Sequence, residues 1–255
     1  MLKLVKYEVR RNRNWMMLVL LAAIGLQGYF LIASQIKNEE HMMISGALLV
    51  WATLIVILGL LITGVSIYSR ELSAKSSYLT FMTPNSAYKI LGAKVLTIFV
   101  LGIGFAALLL GFAAWDFRIL SRIYPRLNLV YLFSEFNLGQ AGIDMTVSQV
   151  LWMIAQFAIA SVVSFFTVIM IAYLAITLSA TVLQNKKFKG IITMLLFIGI
   201  LFGMQWVIGK IPTTNTYASI QDVLKSLTPR FIVELAIMVA AFFTSGWLLE
   251  NKVSL

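Results

Sequence analysis

The sequence contains no cysteine and a single histidine, His41. Without cysteine the chain can form neither a disulfide nor a thiolate metal site. One histidine leaves little basis for histidine-based catalysis or for a histidine-bound metal. A membrane hydrolase would need a metal, or a nucleophile with a base, and the acidic residues are too scattered to supply either. These absences disfavour an enzyme.

Charge is also scarce. Only 12% of the residues are charged and 60% are hydrophobic, whereas a soluble domain carries roughly 25% charged residues. A chain of 255 residues cannot bury that much apolar surface in a globular core. The composition therefore predicts an all-α, polytopic membrane protein, with one transmembrane domain covering residues 1–255.

Six stretches are long and apolar enough to cross the bilayer, where only a helix satisfies its own backbone hydrogen bonds. Lys94, Arg230 and Glu234 are the only ionised residues within them, all near span ends, and Arg230 and Glu234 are spaced to pair at i,i+4. We read that pair as a structural anchor at the outer boundary. All four prolines are placed between spans. The predicted spans are about 15–34, 43–68, 90–115, 150–183, 191–209 and 230–249.

The distribution of lysine and arginine predicts the orientation, because cytoplasmic loops carry an excess of both. With the N-terminus inside, the inner segments hold twelve of the 20 basic residues and the outer segments hold six. Both termini are therefore predicted to be cytoplasmic, and the long segment 116–149 is predicted to be outside. The excess of basic residues on the cytoplasmic side explains most of the net charge of +10. The charge is therefore not evidence that the protein binds nucleic acid.

The first fourteen residues, "MLKLVKYEVRRNRN", have an amphipathic pattern. Leu2, Val5 and Val9 share one helical face, and basic residues such as Arg10 and Arg13 lie mostly elsewhere. This pattern predicts a helix lying on membrane lipid at the inner surface. The alternative is a disordered basic tail that only fixes topology.

Between the second and third spans the chain becomes polar for about 20 residues, although bundle helices need only about 2–8 residues to connect. Residues 69–83 contain no glycine or proline, and Glu71 and Lys75 are spaced i,i+4 in the favourable order. Pro84 disfavours further helix, and Asn85 or Ser86 can cap the next one. The pattern predicts a short cytoplasmic helix over 70–83. Its apolar side chains would either bind a partner or lie on lipid headgroups.

Five residues in this layout carry a family resemblance: Glu71, Leu79, Pro84, Ser86 and Lys94. Placed between the second and third of six spans, they resemble the cytoplasmic element of ABC-2-type exporter permeases. The chain departs from many members after the glutamate, where it has Lys75 and Ser76 in place of Gly-Thr. The N-terminal basic helix and the six-span layout are also similar to that family.

The resemblance implies a permease subunit driven by a separate ABC ATPase, which would hold the ATP and Mg²⁺. Two permease chains, identical or paralogous, and two ATPase chains would form the transporter in the plasma membrane of a bacterial cell. Residues 1–14 would be an interfacial helix, and 70–83 would be the coupling helix that contacts the ATPase. The residues expected at that interface are Arg70, Glu71, Leu72, Lys75, Tyr78, Leu79, Phe81 and Met82.

A phosphate-binding loop is missing from the sequence. "ILGAKVL" has Gly92 and Lys94 but not the G-x-x-x-x-G-K-[ST] spacing, and no other candidate occurs. Any ATP hydrolysis must therefore come from another polypeptide. The rival hypotheses are an ion-coupled secondary transporter, which usually has an ionisable residue deep in the membrane, and a non-transporting sensor or assembly partner.

Three amides, Gln27, Gln156 and Gln205, fall well inside predicted spans. An amide in hydrocarbon requires a partner, so each is expected to face protein or water. They either line a translocation path or form hydrogen bonds between helices. A neutral, aromatic-rich path suits an amphipathic or apolar cargo, with membrane-active antimicrobial peptides as the first candidate and lipids or hydrophobic drugs as alternatives.

Overall fold

The computed structural model describes residues 2–36, 38–73, 86–124, 147–182, 189–211 and 220–251. Within these ranges the chain is entirely helical, with seven α-helices and no strand. Six of them, α2 to α7, are long and apolar enough to span a membrane. This confirms the predicted span count and a polytopic helical membrane protein. The helices are α1 (Leu2–Arg11), α2 (Arg13–Ile36), α3 (Glu39–Ser73), α4 (Ala87–Ile123), α5 (Val147–Val182), α6 (Lys189–Gly209) and α7 (Ile220–Asn251).

Several helices extend well beyond the spans that hydropathy predicts. Helix α4 has 37 residues, which at 1.5 Å per residue is about 55 Å, against a hydrocarbon core of about 30 Å. It includes residues 116–123, which the sequence had placed in an outer loop. Pro229 was predicted to lie between spans but is inside α7, since a helix can continue through a proline when it gives up one backbone hydrogen bond.

The start of α3 shows why a helix begins there. Asn38 occupies the N-cap position, and its side-chain oxygen accepts a hydrogen bond from the backbone N–H of His41 at 3.3 Å. Glu39 and Glu40 follow in the first turn, where negative charge opposes the positive end of the helix dipole. Local chemistry therefore fixes this end of the helix independently of the membrane.

The chain divides into two compact units. The first comprises Met1–Gly64 and Gly92–Phe136, and the second comprises Val65–Leu91 and Asn137–Leu255. Helices α3 and α4 each pass from one unit to the other within their length. The polar segment between these two helices therefore has both of its flanks in the second unit.

In the first unit, Trp15 from α2 fills the space beside Gly59 on α3. A Cβ atom on Gly59 would lie 2.2 Å from the indole, so the glycine allows this close approach. The same indole meets Phe105 of α4 edge-on, with ring centroids 6.3 Å apart. One aromatic side chain thus packs α2 against both α3 and α4.

In the second unit α5 is the central helix. In its candidate span 44% of the residues are buried, against 11% in α6. Ile171 of α5 is fully buried and forms a core with Met204 and Ile208 of α6. Val233 and Ile237 of α7 pack against that core. Other large apolar side chains of α6 are exposed, as expected for a helix that faces lipid, and these include Leu195, Phe202 and Trp206.

Candidate functional site

The flanks of the polar segment 74–85 are fixed by specific contacts in the second unit. On the side of α3, the ring of Tyr68 stacks on Tyr173 of α5 with centroids 4.2 Å apart. The Tyr68 hydroxyl hydrogen-bonds the Thr177 hydroxyl at 2.5 Å. Tyr68 and Tyr173 are 2% and 0% exposed, so a buried stack and a buried hydrogen bond hold the end of α3.

On the side of α4, the first helical residue is held by the end of α7. The backbone N–H of Ala87 donates to Glu250 Oε1 at 3.3 Å, and a carboxylate at a helix N-terminus is favoured by the helix dipole. Ser86 precedes the helix, as predicted for a capping residue, and its carbonyl accepts from the backbone of Lys89 at 3.0 Å.

Tyr88 adds packing at the same place. Its ring lies against Gly246 of α7, where an added Cβ would come within 2.2 Å of the ring. The rings of Phe242 and Phe243 are adjacent to it, each with its centroid 6.2 Å from that of Tyr88. We call Tyr68, Tyr173, Thr177, Ala87 and Glu250 the flank anchor, since together they attach both ends of the polar segment to α5 and α7.

Three of the eight predicted coupling residues fall among the described residues, as the last turn of α3. Arg70 is exposed and Glu71 is half-buried. Leu72 is only 7% exposed, so it packs within this chain and leaves little surface for a partner. Helix α3 continues without a break from the predicted span through Ser73, so residues 70–73 belong to the same helix as the span. Lys75, Tyr78, Leu79, Phe81 and Met82 lie outside the described residues.

The segment predicted to be an interfacial helix is helical as α1, which ends at Arg11. Val5 is buried, Val9 is half-buried, and Arg10 and Arg13 are exposed. The backbone of Leu2 belongs to the helix, while its side chain lies outside the described residues. The two faces of α1 therefore differ in burial, and part of the apolar face that was predicted to lie on lipid packs within the protein.

The buried face of α1 also carries Glu8, which the sequence interpretation missed. Glu8 is 9% exposed and Lys94 of α4 is 3% exposed, and the Lys94 Nζ lies 3.6 Å from Glu8 Oε1. The signal was present, because Glu8 is the only acidic residue among the first fourteen and follows Val5 by three positions on one face. Asn12 ends the helix by donating its side-chain N–H to the Glu8 carbonyl at 3.0 Å.

The three amides differ in their surroundings. Gln27 is 6% exposed, and its Nε2 donates to Asp116 Oδ1 of α4 at 2.5 Å. Gln156 is half-buried on α5, and Gln205 is exposed on α6. Each amide was expected to face protein or water. Of the three, only Gln27 is buried against protein.

The predicted pair of Arg230 and Glu234 is confirmed, with Arg230 Nε 3.4 Å from Glu234 Oε1. Glu234 is 4% exposed and its other oxygen accepts a hydrogen bond from Ser164 of α5. Thr167, one turn further along α5, donates to the Glu234 backbone carbonyl at 3.3 Å. The carboxylate therefore ties α5 to α7 in addition to pairing with its neighbour on α7.

In the described ranges, no group of three or more histidine, aspartate and glutamate side chains is placed to bind a metal. Comparison of the chain with protein-family models, with curated proteins and with solved structures finds no match. Function is therefore inferred from the chain's own residues and from the resemblance of its polar segment to the cytoplasmic element described above.

Proposed function

We propose that this chain is the permease subunit of an ABC-2-type exporter and that a separate ABC ATPase supplies the energy. The observation that carries the proposal is the flank anchor. A connection that only reversed the chain would need no fixed ends, whereas a segment that transmits movement from an ATPase must be firmly attached to the membrane helices. Here α3 is attached through Tyr68 and α4 through Ala87.

In this proposal the coupling helix is the segment 70–83, extending from the last turn of α3. The exposed Arg70 and the half-buried Glu71 would set its register on the ATPase. The partly buried, basic α1 would be the interfacial helix on the cytoplasmic side, with both termini inside the cell. Two copies of the chain, or one copy and a paralogue, would assemble with two ATPase chains in the plasma membrane.

The cargo proposed for this permease is an amphipathic or hydrophobic molecule, in the first place a membrane-active peptide. Most of the described surface of the spans is apolar, and a peptide with an apolar face can reach such a surface from the lipid. Lipids and hydrophobic drugs have the same property and are the alternatives within this class.

One observation favours a second candidate, an ion-coupled secondary transporter. Such proteins bind an ion at an ionisable side chain inside the membrane, and the structure places Asp116 within α4 instead of in an outer loop. ATP dependence separates the two candidates, because ion-coupled transport would persist without any ATPase partner.

The test is the double variant Tyr78→Ala with Phe81→Ala. An aromatic side chain that fills an interface pocket can contribute about 2 kcal/mol or more, so losing both should release the ATPase and uncouple hydrolysis from export. Copurification of the ATPase and export by cells are measured for each variant. Tyr7→Ala, an exposed aromatic on α1, is the control and should leave both unchanged. Normal copurification and export in the double variant would contradict the coupling assignment.

A further inference from the structure

Gln27 and Asp116 form a hydrogen-bonded polar pair inside the first unit. One of its polar atoms, the Gln27 carbonyl oxygen, has no hydrogen-bond partner among the described residues. Gln27 belongs to a buried stripe along α2 that includes Ala23 and Phe30, which are 4% and 2% exposed. On α4, the positions one turn before and after Asp116 are Phe112 and Leu120. Gln27 is thus buried on an apolar face, where an unpaired amide group is costly, and Asp116 beside it is half-buried.

The orientation of the amide follows from the carboxylate. An ionised carboxylate only accepts hydrogen bonds, so Gln27 must turn its Nε2 towards Asp116, as it does. Its carbonyl oxygen then points away and is buried. Among the described residues no donor lies within hydrogen-bond distance of that oxygen. Two ion pairs among the described residues are Lys94 with Glu8 and Arg230 with Glu234, and neither involves Asp116.

The site therefore has one buried acceptor without a donor, the Gln27 carbonyl oxygen, beside a carboxylate in which Oδ1 accepts from Gln27 and which can accept further hydrogen bonds. An ammonium group has three donors and no acceptor, and its charge would balance that of the carboxylate. Ca²⁺ takes about six to eight oxygen ligands, more than these two side chains provide. The chemistry of the pair therefore matches a primary ammonium.

The position of the pair along the helices is also informative. Asp116 follows Lys94 by 22 residues, or about 33 Å along α4, and Gln27 lies about 21 Å from the start of α2. Given the predicted topology, both side chains lie in the outer half of the membrane. An ammonium at this depth could come from a cargo molecule or from the headgroup of phosphatidylethanolamine.

We propose that Gln27 and Asp116 form a binding site for a primary ammonium group in the outer half of the membrane. The identification of that group with exported cargo rests on the proposed function, but the site itself does not. A cationic amphipathic peptide would then be held by one of its lysine or N-terminal ammonium groups, with its apolar face in the surrounding helices.

The test uses the purified full-length chain in phosphatidylcholine nanodiscs and two photoreactive probes, a dodecylammonium and the corresponding dodecanol. The measured quantity is the ratio of their apparent affinities, with labelling of empty discs subtracted. A hydrogen bond to a charged group contributes about 1.5–3 kcal/mol. The wild-type chain should therefore prefer the ammonium by about tenfold or more.

Asp116→Asn keeps an acceptor for the Gln27 amide but removes the charge, and should bring the ratio close to one. Gln27→Met removes the buried carbonyl and should lower the ratio severalfold. Glu40→Gln removes an equal charge from an exposed position at the start of α3 and should leave the ratio unchanged. Because misfolding lowers the labelling by both probes, the ratio reports the site and not the amount of folded protein.

Phosphatidylethanolamine distinguishes the two sources. If the lipid occupies the site, adding it to the discs should reduce ammonium labelling of the wild type but not of Asp116→Asn. If a cargo group is the occupant, the lipid should have no effect. The proposal is overturned if the wild type shows no preference for the ammonium, if Asp116→Asn keeps the preference, or if Glu40→Gln loses it equally. None of these measurements needs an ATPase, so they can fail or succeed independently of the exporter assignment.

Discussion

The buried ion pair between Glu8 and Lys94 allows a prediction with a defined magnitude. The Lys94 and Glu8 side chains are 4% and 12% exposed, with 3.6 Å between the charged atoms. Removing one partner of such a pair leaves a buried charge without compensation, which costs about 3–5 kcal/mol. Lys94→Met should therefore weaken the attachment of α1 to α4 by about this amount.

The double variant should behave differently. The pair is not closely spaced, and Glu8 Oε2 is buried with no hydrogen-bond partner among the described residues. Replacing both partners by apolar residues of similar size is often neutral or stabilising. Glu8→Leu combined with Lys94→Met should therefore recover most of the stability that Lys94→Met loses. A purely additive loss would refute the argument from a buried charge.

The chain's lack of cysteine makes the attachment of α1 directly measurable. Val5 is 7% exposed and Tyr7 is 63% exposed, so Val5→Cys should react slowly with a thiol reagent and Tyr7→Cys quickly. A loss of 3–5 kcal/mol corresponds to an increase of about 100-fold or more in the open fraction. Adding Lys94→Met should raise the Val5→Cys rate accordingly, up to the rate of Tyr7→Cys.

The control is Lys89→Met, which removes the same charge from an exposed position on α4. It should not change the labelling rate of Val5→Cys. It should also leave the stability of the chain unchanged, measured by unfolding in mixed micelles of increasing SDS content. If Lys94→Met leaves the labelling rate of Val5→Cys unchanged, the ion pair does not hold α1. The helix would then be positioned by its apolar and basic residues on lipid alone.

Three further predictions concern topology, energy source and packing. In intact cells a membrane-impermeant thiol reagent should label Ser121→Cys but not Phe188→Cys, and the reverse result would invert the orientation. The purified chain alone should neither bind nor hydrolyse ATP, and specific nucleotide binding free of copurifying protein would overturn this. Gly246→Ala forces the Tyr88 ring to move and should destabilise the chain by about 1–3 kcal/mol, measured by thermal unfolding in detergent. Gly203→Ala, with no atom within 4 Å of the added carbon, should not destabilise it.

The span count could be predicted from the sequence because hydropathy measures what the bilayer requires, about 20 apolar residues per helix. Helix length could not be predicted in the same way. A helix satisfies its own backbone hydrogen bonds in hydrocarbon and in water alike, so polar residues such as Asp116 and Arg118 do not stop it. This is why α4 continues to Ile123, whereas the apolar stretch suggested an end near residue 115.

Contacts between different helices could not be predicted from the sequence either. The i,i+4 spacing of Arg230 and Glu234 is local, so the pair could be predicted from the sequence. Glu8 and Lys94 are on different helices, as are Gln27 and Asp116. Which helix faces which depends on packing, such as the approach of Trp15 to Gly59, and neither hydropathy nor helical periodicity in one sequence contains that information.

The two pairs between helices differ in a way that bears on their roles. Glu8 and Lys94 neutralise each other within the chain, so their interaction can be complete without a ligand and suits a structural attachment. Gln27 and Asp116 leave a negative charge that no described cation neutralises in an ion pair, and a buried Gln27 carbonyl oxygen without a donor among the described residues. The ion pair also has a buried oxygen without a partner among the described residues, Glu8 Oε2, so the two pairs are distinguished by net charge, which is zero for Glu8 with Lys94 and negative for Gln27 with Asp116. An acceptor-rich pair that persists among apolar side chains is better explained by a donor that binds from outside the chain.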